Sequence, residues 1–399
     1  MGKIWLHIGL LLITSVALFY LSNHYLDGYL RSPASLAQEL KSTEAGLYHY
    51  NLSKEPPFKY RLLFSSIVKT TYSLFSNGNN PILFYRTYKF WSVVFYTTSA
   101  LTFFWLLYFI GYRGYYPLLG SVIFLLMPPM LLAFTLPVHT REDTLAYTLL
   151  FLGLIAMLNE KLWLFLFIAV VGVVTRETLL LLPLLYFVFV KDSNWTRKLL
   201  ISGLPVLLWI FVRLFWSPET YDVWEGLKWN LSNLRQVAGF LVITYNVCWL
   251  SFLIHLYFYR QNVSRTGNNI VGFFYRSAPF VMSVILVTTF AGGIFNEIRL
   301  LYLASPWIIV LFLDFIHNNG SLLRKTFSHR NFTVYAAGML AICVLTAVVA
   351  LENEDDLIEK GRWLISYTKW VILSVGYIFI LLLFLPGAYR VFVKQKSST

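Results

Sequence analysis

Long apolar runs separated by short polar segments occupy most of the chain. Several runs reach the roughly 20 residues that a helix needs to cross a bilayer. They are apolar throughout and do not alternate, unlike the strands of an outer-membrane barrel. The pattern therefore predicts an all-α polytopic protein with about twelve spans, forming a single transmembrane domain over residues 1–399. The predicted spans lie near 4–22, 88–111, 116–135, 145–158, 162–174, 179–190, 199–216, 238–259, 277–295, 300–316, 333–351 and 364–389.

A charged tetrad, Thr175-Arg176-Glu177-Thr178, separates the apolar runs 162–174 and 179–190. Charge at the centre of a bilayer costs roughly 2.5 to 3.5 kcal/mol per residue on insertion scales. One broken helix would hold the tetrad at that depth, whereas a hairpin would hold it at a membrane face. The sequence therefore predicts a helical hairpin with the tetrad at its turn.

The polar segments differ in charge between the two predicted faces. With the N-terminus inside, Lys and Arg dominate the inner segments, as the positive-inside rule requires. The inner acids are Glu160, Asp192 and Asp314. The inner basic residues are Lys3, Arg113, Lys161, Lys191, Arg197, Lys198, Arg260, Arg265, Arg276, Arg324, Lys325, Arg330, Arg390, Lys394 and Lys396. This orientation places both termini in the cytoplasm and the tetrad at the outer face.

The first outer loop, residues 23–87, is much longer than the others and has helical patterns of its own. Ser32-Pro33 resembles an N-cap followed by proline at the first helical position. Further on, residues 63–75 carry apolar side chains at helical spacing opposite a face of Ser, Thr and Lys, which predicts an interfacial helix. A second outer segment, 217–237, holds Trp224 and Trp229 and predicts another interfacial helix.

Composition supports the membrane interpretation, because 58% of the 399 residues are hydrophobic and only 13% are charged. The formal charge of +13 is dispersed among short loops without an arginine-rich arm, so no nucleic-acid partner is expected. The two cysteines, Cys248 and Cys343, lie inside apolar runs and offer no disulfide framework. The chain has no GK[ST] phosphate loop, HExxH or GxSxG pattern.

Three stretches place an arginine beside or near a carboxylate at the edge of an apolar run. They are Thr140-Arg141-Glu142-Asp143, the tetrad, and Asn296-Glu297-Ile298-Arg299. The predicted topology puts all three at the outer face with the first loop, where Asp27 follows the first span. They are candidates for one shared site, and a structural salt bridge or an anchor to lipid headgroups is the alternative for each pair.

This architecture resembles the GT-C class of membrane glycosyltransferases, which includes protein mannosyltransferases and bacterial lipid A aminoarabinose transferases. The resemblance rests on the long outer loop after the first helix, the acid at its start in Leu26-Asp27-Gly28, the many spans and the outer Arg/Glu pairs. It implies an enzyme that moves a sugar from a polyprenyl-phosphate donor to a lipid, glycan or protein acceptor at the outer face.

Such a reaction leaves a phosphate anion and removes a proton from the acceptor hydroxyl, so it needs cations and a carboxylate. Arginine suits phosphate because its planar fork binds two oxygens. Under the resemblance, the catalytic candidates are Asp27, Glu142 and Asp143. The substrate-binding candidates are Lys59, Arg61, Arg141, Arg176, Glu177, Glu297 and Arg299. Glu39, Glu44 and Glu55 are rival first-loop acids. Asp27 has no second acid beside it, so no cofactor or metal ligand is assigned and a divalent metal stays open.

Two other functions stay open on the sequence: a transporter or lipid-linked oligosaccharide flippase, and a polysaccharide polymerase or ligase. Transport sites lie near the bilayer midplane, whereas Arg213, Asp314 and Lys369 sit toward the ends of their spans, which favours the transferase. The inner loops rich in Lys and Arg favour a bacterial inner membrane, where membrane lipids, the lipid-linked donor and a lipid or glycan acceptor would be the partners.

Overall fold

A computed structural model of the chain describes most of its first 326 residues. The described residues are 2–27, 62–76, 80–127, 129–130, 142–191, 194–216, 223–234, 237, 241, 244–245, 247–266, 270–292, 298–326 and 393. Every regular element in these ranges is helical, and the ranges contain no strand. The all-α fold class is confirmed for this part of the chain.

Fourteen α-helices are named here in chain order, with three short turns of other helix types between them. The α-helices are α1 Gly2–Asp27, α2 Leu62–Phe75, α3 Pro81–Ile110, α4 Tyr116–Leu126, α5 Glu142–Leu158, α6 Leu162–Thr175, α7 Leu181–Phe189, α8 Trp195–Phe211, α9 Val223–Ser232, α10 Cys248–Tyr257, α11 Tyr259–Thr266, α12 Ile270–Gly292, α13 Ile298–Leu301 and α14 Ser305–Thr326. The other turns are 3₁₀ at Glu177–Leu180 and Tyr302–Ala304, and π at Val212–Trp216.

Three of the described helices are long and apolar enough to cross a membrane: Ile82–Ile110, Trp195–Phe215 and Ile270–Ala291. This supports an integral membrane protein. Six shorter apolar helices accompany them within the same ranges. The number twelve stays a prediction, since the spans proposed at 333–351 and 364–389 fall outside the described residues.

Two helices begin earlier than the apolar runs indicated. Helix α3 starts at Pro81 instead of 88, because Asn80 caps it by accepting a hydrogen bond from the Leu83 N–H at 3.0 Å. It ends at Ile110, and the following C-cap residue Gly111 has a φ of +119°, in the left-handed region that favours glycine. Helix α12 starts at Ile270 instead of 277, so its first turns continue through Arg276.

The chain divides into two compact units. The first comprises Met1–Lys228 and Val284–Gly293, and the second comprises Trp229–Ser283 and Ile294–Thr399. The single domain expected over 1–399 stays a prediction.

In the first unit, α1 and α3 pack antiparallel. The Ser15 hydroxyl donates to Thr97 Oγ1 at 3.3 Å, the Phe19 and Tyr96 rings meet edge to face at 5.7 Å, and Lys89 Nζ lies 5.6 Å from the Tyr20 ring centre. Rising residue numbers in α1 thus meet falling numbers in α3. The last residue of α1, Asp27, therefore lies toward the N-terminal end of α3.

Helix α2 forms where the helical spacing of residues 63–75 predicted it, but its apolar face packs on α3. Phe64 contacts the Tyr88 ring at 5.3 Å, and Tyr72 contacts the Phe84 ring at 5.5 Å. Phe64 and Tyr72 are buried, together with Val68 between them. Leu74 and Phe75, at the end of the same apolar stripe, are exposed, and the interfacial position of α2 stays a prediction. Helix α9 likewise forms inside the predicted segment 217–237, with Trp224 exposed.

An aromatic cluster joins α3, α4 and α5. The Phe103 ring lies 5.2 Å from Phe124 and 4.9 Å from Phe151, and Phe124 also meets Tyr147 at 5.9 Å. All four side chains are buried. Large rings fix the spacing of these helices, because each buries a broad apolar surface and packs in tilted or edge-to-face geometry.

In the second unit, α10, α12 and α14 are linked by polar contacts between buried residues and the half-buried Asp314. The Trp307 indole N–H donates to Ser277 Oγ at 2.8 Å, and the Tyr275 hydroxyl donates to Asp314 Oδ2 at 2.5 Å. His255, at 2% exposure, pairs through Nε2 with the Tyr275 carbonyl oxygen at 2.9 Å. Hydrogen bonds of this kind are the usual polar link between helices in a membrane.

Candidate functional site

The turn between α6 and α7 is built by the charged tetrad. Helix α6 closes on Thr175, whose hydroxyl donates to the Val171 carbonyl at 2.8 Å. Arg176 then adopts an extended conformation (φ −160°, ψ 134°) that breaks the helix, while its N–H still donates to the Gly172 carbonyl at 2.8 Å. The following 3₁₀ turn begins at Glu177 and leads into α7. A single extended residue thus redirects the chain.

Contacts between α6 and α7 show that the redirected chain folds back. The rings of Phe165 and Tyr186 stack at 5.3 Å, although one lies near the start of α6 and the other near the end of α7. A continuous helix would hold two residues so spaced about 31 Å apart, at roughly 1.5 Å per residue. Leu179 also closes against Gly172, where an added Cβ would come within 3.0 Å of its side chain. The predicted hairpin is confirmed.

The hairpin turn meets the start of α5. The Arg176 guanidinium forms an ion pair with the Asp143 carboxylate, and the two side chains are only 3% and 2% exposed. Two of the three charged stretches therefore meet in space, although they lie more than thirty residues apart in sequence. Taking both charges out of water is costly, so loss of either side chain would leave the other as an uncompensated buried charge.

The rest of the tetrad lies at the same turn. Glu177 is half-buried and is the first residue of the 3₁₀ turn. The Thr178 hydroxyl oxygen is buried and has no hydrogen-bond partner among the residues that the structure describes. The turn and the start of α5 therefore combine a guanidinium, two carboxylates and two hydroxyls within a mostly apolar bundle.

The structure describes the other predicted site residues only in part. Asp27 ends α1, Glu142 begins α5 beside Asp143, and Arg299 lies in α13, while the side chains of all three are outside the described part. The remaining candidates also fall outside the described residues: Lys59, Arg61, Arg141 and Glu297. The roles of these seven residues stay predictions, as does the meeting of the third stretch with the first two.

The opposite end of the α5–α8 bundle is basic. Lys161 lies in the α5–α6 turn, Lys191 follows α7, and Lys198 stands in the first turn of α8, 5.4 Å over the Phe187 ring. Glu160 in the α5–α6 turn is the acid described there, and Arg197 adds a further cation. Because α5, α6, α7 and α8 run alternately up and down, these cations lie at the end away from Asp143 and Arg176. The charge pattern is the one that the positive-inside rule predicts.

Helix lengths give the depth of the ion pair. Helix α6 has 14 residues and α5 has 17, which correspond to about 21 and 25 Å. The hydrocarbon core of a bilayer is about 30 Å thick. If the basic end lies at one boundary of the hydrocarbon, Asp143 and Arg176 lie roughly 5 to 9 Å inside the other.

A second arginine at this end of the bundle was not chosen as a site residue from the sequence. Arg213 lies in the π turn that ends α8, with its Cζ 5.4 Å from the centre of the Trp209 ring. The α8 helix also contacts the 3₁₀ turn 177–180. The available sequence signal was a lone arginine inside an apolar run, four residues after a tryptophan.

The guanidinium groups described at this end of the bundle suit an anion. Within the described ranges, no three His, Cys, Asp or Glu side chains come close enough to hold a metal ion. Arg176 and Arg213 offer planar guanidinium donors, which match phosphate oxygens. No protein-family model, curated protein or solved structure matches this chain.

Proposed function

We propose that the protein is a GT-C-type membrane glycosyltransferase that moves a sugar from a polyprenyl-phosphate donor to a lipid, glycan or protein acceptor. The observation that carries the proposal is the buried pair of Asp143 and Arg176 at the turn of an apolar hairpin. Maintaining a buried charge pair costs stability that well-packed apolar residues would not cost. A chemical role for the charges explains why the pair is present.

The reaction assigns a role to each charge. The acceptor hydroxyl oxygen forms a bond to the anomeric carbon of the donor sugar, while the bond from that carbon to the phosphate oxygen breaks. Arg176 binds the phosphate as its negative charge develops, since a guanidinium placed in a low-dielectric site stabilises such charge strongly. Asp143 orients Arg176 or, with Asp27 and Glu142 as the other candidates, takes the acceptor proton.

The depth of the pair fits a donor that is itself a lipid. A polyprenyl phosphate carries its phosphate at the headgroup level, and the helix lengths put Arg176 roughly 9 Å inside the hydrocarbon boundary below it. The basic opposite end supports an inner membrane with this site at its outer face and both termini in the cytoplasm. A GT-C enzyme of a bacterial envelope would have this orientation.

A transporter or lipid-linked oligosaccharide flippase is the second candidate, and the same burial favours it. Buried charges at a break between helices are also typical of transport sites. A polysaccharide polymerase or ligase would use the transferase chemistry and differs in its acceptor. The experiment must therefore separate chemistry from movement across the membrane.

Detergent micelles provide that separation, because a micelle has no two compartments between which a substrate could move. The purified protein would be mixed with donor lipid and glycan extracted from its host, and released polyprenyl phosphate measured by mass spectrometry. We expect release by the wild type and a loss of about 100-fold or more in Asp143→Asn and Arg176→Lys. Lys161→Gln, at the basic end, should keep full activity.

The exchange of both charges, Asp143→Arg with Arg176→Asp, tests whether the pair only supports the fold. A purely structural pair would regain activity after exchange, whereas a site that binds phosphate through Arg176 stays inactive although folded. In the host, deletion of the gene should change the surface glycan profile. An unchanged profile, together with no release in micelles from the folded wild type, would reject the transferase.

A further inference from the structure

The α8 helix with its π turn is the most exposed of the three membrane-length helices. Only 17% of its most apolar window is buried, against 56% for Ile82–Ile110 and 50% for Ile270–Ala291. Near its end, Leu207, Phe211, Leu214 and Phe215 are all exposed. An apolar surface of this length in a membrane protein faces lipid chains.

Charges mark both ends of this exposed helix. Arg197 and Lys198 stand in its first turn, and the sequence from 199 to 212 carries no charged residue before Arg213. The distance along the axis from Lys198 to Arg213 is about 22 Å at 1.5 Å per residue. Long basic side chains can extend several ångströms further toward the headgroups, so the two ends match the two boundaries of a bilayer about 30 Å thick.

The two charged ends are not equivalent. Lys198 lies at the basic end of the bundle, where cations are expected on the cytoplasmic side. Arg213 lies at the end of Asp143 and Arg176, since α8 runs antiparallel to α7 and contacts the 3₁₀ turn. An arginine at the outer end of a lipid-facing helix is disfavoured by the same rule.

The local structure presents the Arg213 guanidinium in a defined position. It lies over the Trp209 ring at 5.4 Å, a cation–π contact that orients its plane. The π turn at Val212–Trp216 replaces the regular helix at this point. Arg213 is half-buried, so part of its surface faces the surroundings of the helix.

From this geometry we propose that Arg213, oriented by Trp209, is a binding site for a lipid-borne phosphate in the outer leaflet. The guanidinium donates to two phosphate oxygens, and the lipid chains lie along the exposed apolar surface of α8. The phosphate could belong to a bulk anionic phospholipid or to a polyprenyl phosphate. The site is a binding site in either case and does not depend on glycosyl transfer.

Binding can be measured on the purified full-length chain by native mass spectrometry, with phosphatidylglycerol and a short-chain polyprenyl phosphate added in separate titrations. Arg213→Gln should weaken binding roughly tenfold or more, because a charge-assisted bidentate contact is lost. The lipid affinity of Arg213→Lys should lie between that of the wild type and that of Arg213→Gln. Trp209→Leu should weaken lipid binding less than Arg213→Gln does. Lys198→Gln, which removes the stacked cation at the opposite end, is the matched control and should leave the outer site unchanged.

The two titrations identify the source of the phosphate. Weaker binding of both lipids by Arg213→Gln indicates a general headgroup site, and weaker binding of polyprenyl phosphate alone indicates a donor site. Equal binding of both lipids by wild type and variant overturns the proposal, as does an equal loss in Lys198→Gln. If Arg213→Gln does not fold, the Arg213→Lys and Trp209→Leu titrations decide by the same criteria.

Discussion

Removal of one partner of the buried ion pair should destabilise the protein far more than removal of both. The side chains of Arg176 and Asp143 are 3% and 2% exposed, so the small values measured for surface pairs do not apply. At about 4 Å and an effective dielectric constant of about 20, two unit charges attract by about 4 kcal/mol. Breaking a buried pair costs about 3 to 5 kcal/mol, because the remaining charge is left without compensation.

We therefore expect Asp143→Leu and Arg176→Met each to lower the free energy of unfolding by about 3 to 5 kcal/mol. The double variant should lose less than either single variant, since two apolar side chains in a buried position replace a pair that is costly to desolvate. Unfolding free energies can be measured by titrating the purified protein from mild detergent into sodium dodecyl sulfate and following its helical circular dichroism.

The matched control is Arg113→Met in the exposed turn between α3 and α4. Its guanidinium donates to the Tyr108 carbonyl at 2.6 Å and its side chain is exposed. The free energy of unfolding should therefore change by no more than about 1 kcal/mol. If the losses of the two single variants simply add in the double variant to within about 0.5 kcal/mol, Asp143 and Arg176 are not coupled and the reasoning fails.

Two further predictions test the packing and the orientation of the bundle. Gly153→Ala should lower the free energy of unfolding by about 1 to 3 kcal/mol, because the new Cβ would come within 2.6 Å of Leu182 Cδ1 in the interface between α5 and α7. Gly203→Ala is the control: nothing lies within 4 Å of its new Cβ, so it should be neutral or stabilising by up to about 1 kcal/mol. Equal effects of the two substitutions would contradict the close approach of α5 and α7. A cysteine introduced at the exposed Lys161 should react with a membrane-impermeant maleimide in inverted vesicles and not in intact cells, and labelling of intact cells would reverse the proposed orientation.

The hairpin could be predicted because the cost of burying charge in a bilayer is large and depends on residues that are adjacent in the sequence. A charged tetrad between two runs, each too short to span, has few acceptable positions in a bilayer, and charge counting in the neighbouring turns selected one of them. The starts of α3 and α12 were missed because apolar runs were counted only from the residues after Arg86 and Arg276. The Asn80-Pro81 cap signal was present in the sequence and would have corrected the first of these.

The pairing of Asp143 with Arg176 could not be predicted from the sequence, for a different reason. Sequence pattern assigns a residue to the core when its helix has one apolar face, but residues 143–150 of α5 are buried on every side. Nothing in the periodicity therefore distinguishes Asp143 from Glu142. Which carboxylate meets Arg176 depends on the rotation of α5 against the hairpin, and that rotation is set by contacts such as Gly153 with Leu182.

The cations at the two ends of the α5–α8 bundle differ in their surroundings. Lys161 and Lys191, at the opposite end, are exposed. Arg176 instead shares a buried contact with Asp143, so the pair adds no net charge to its end. Arg213 has its cation–π contact with Trp209 and, under the proposal above, the phosphate of a lipid. The two arginines at this end thus differ from the opposite cations in how their charge is compensated, and binding of a phosphate by either one stays a proposal.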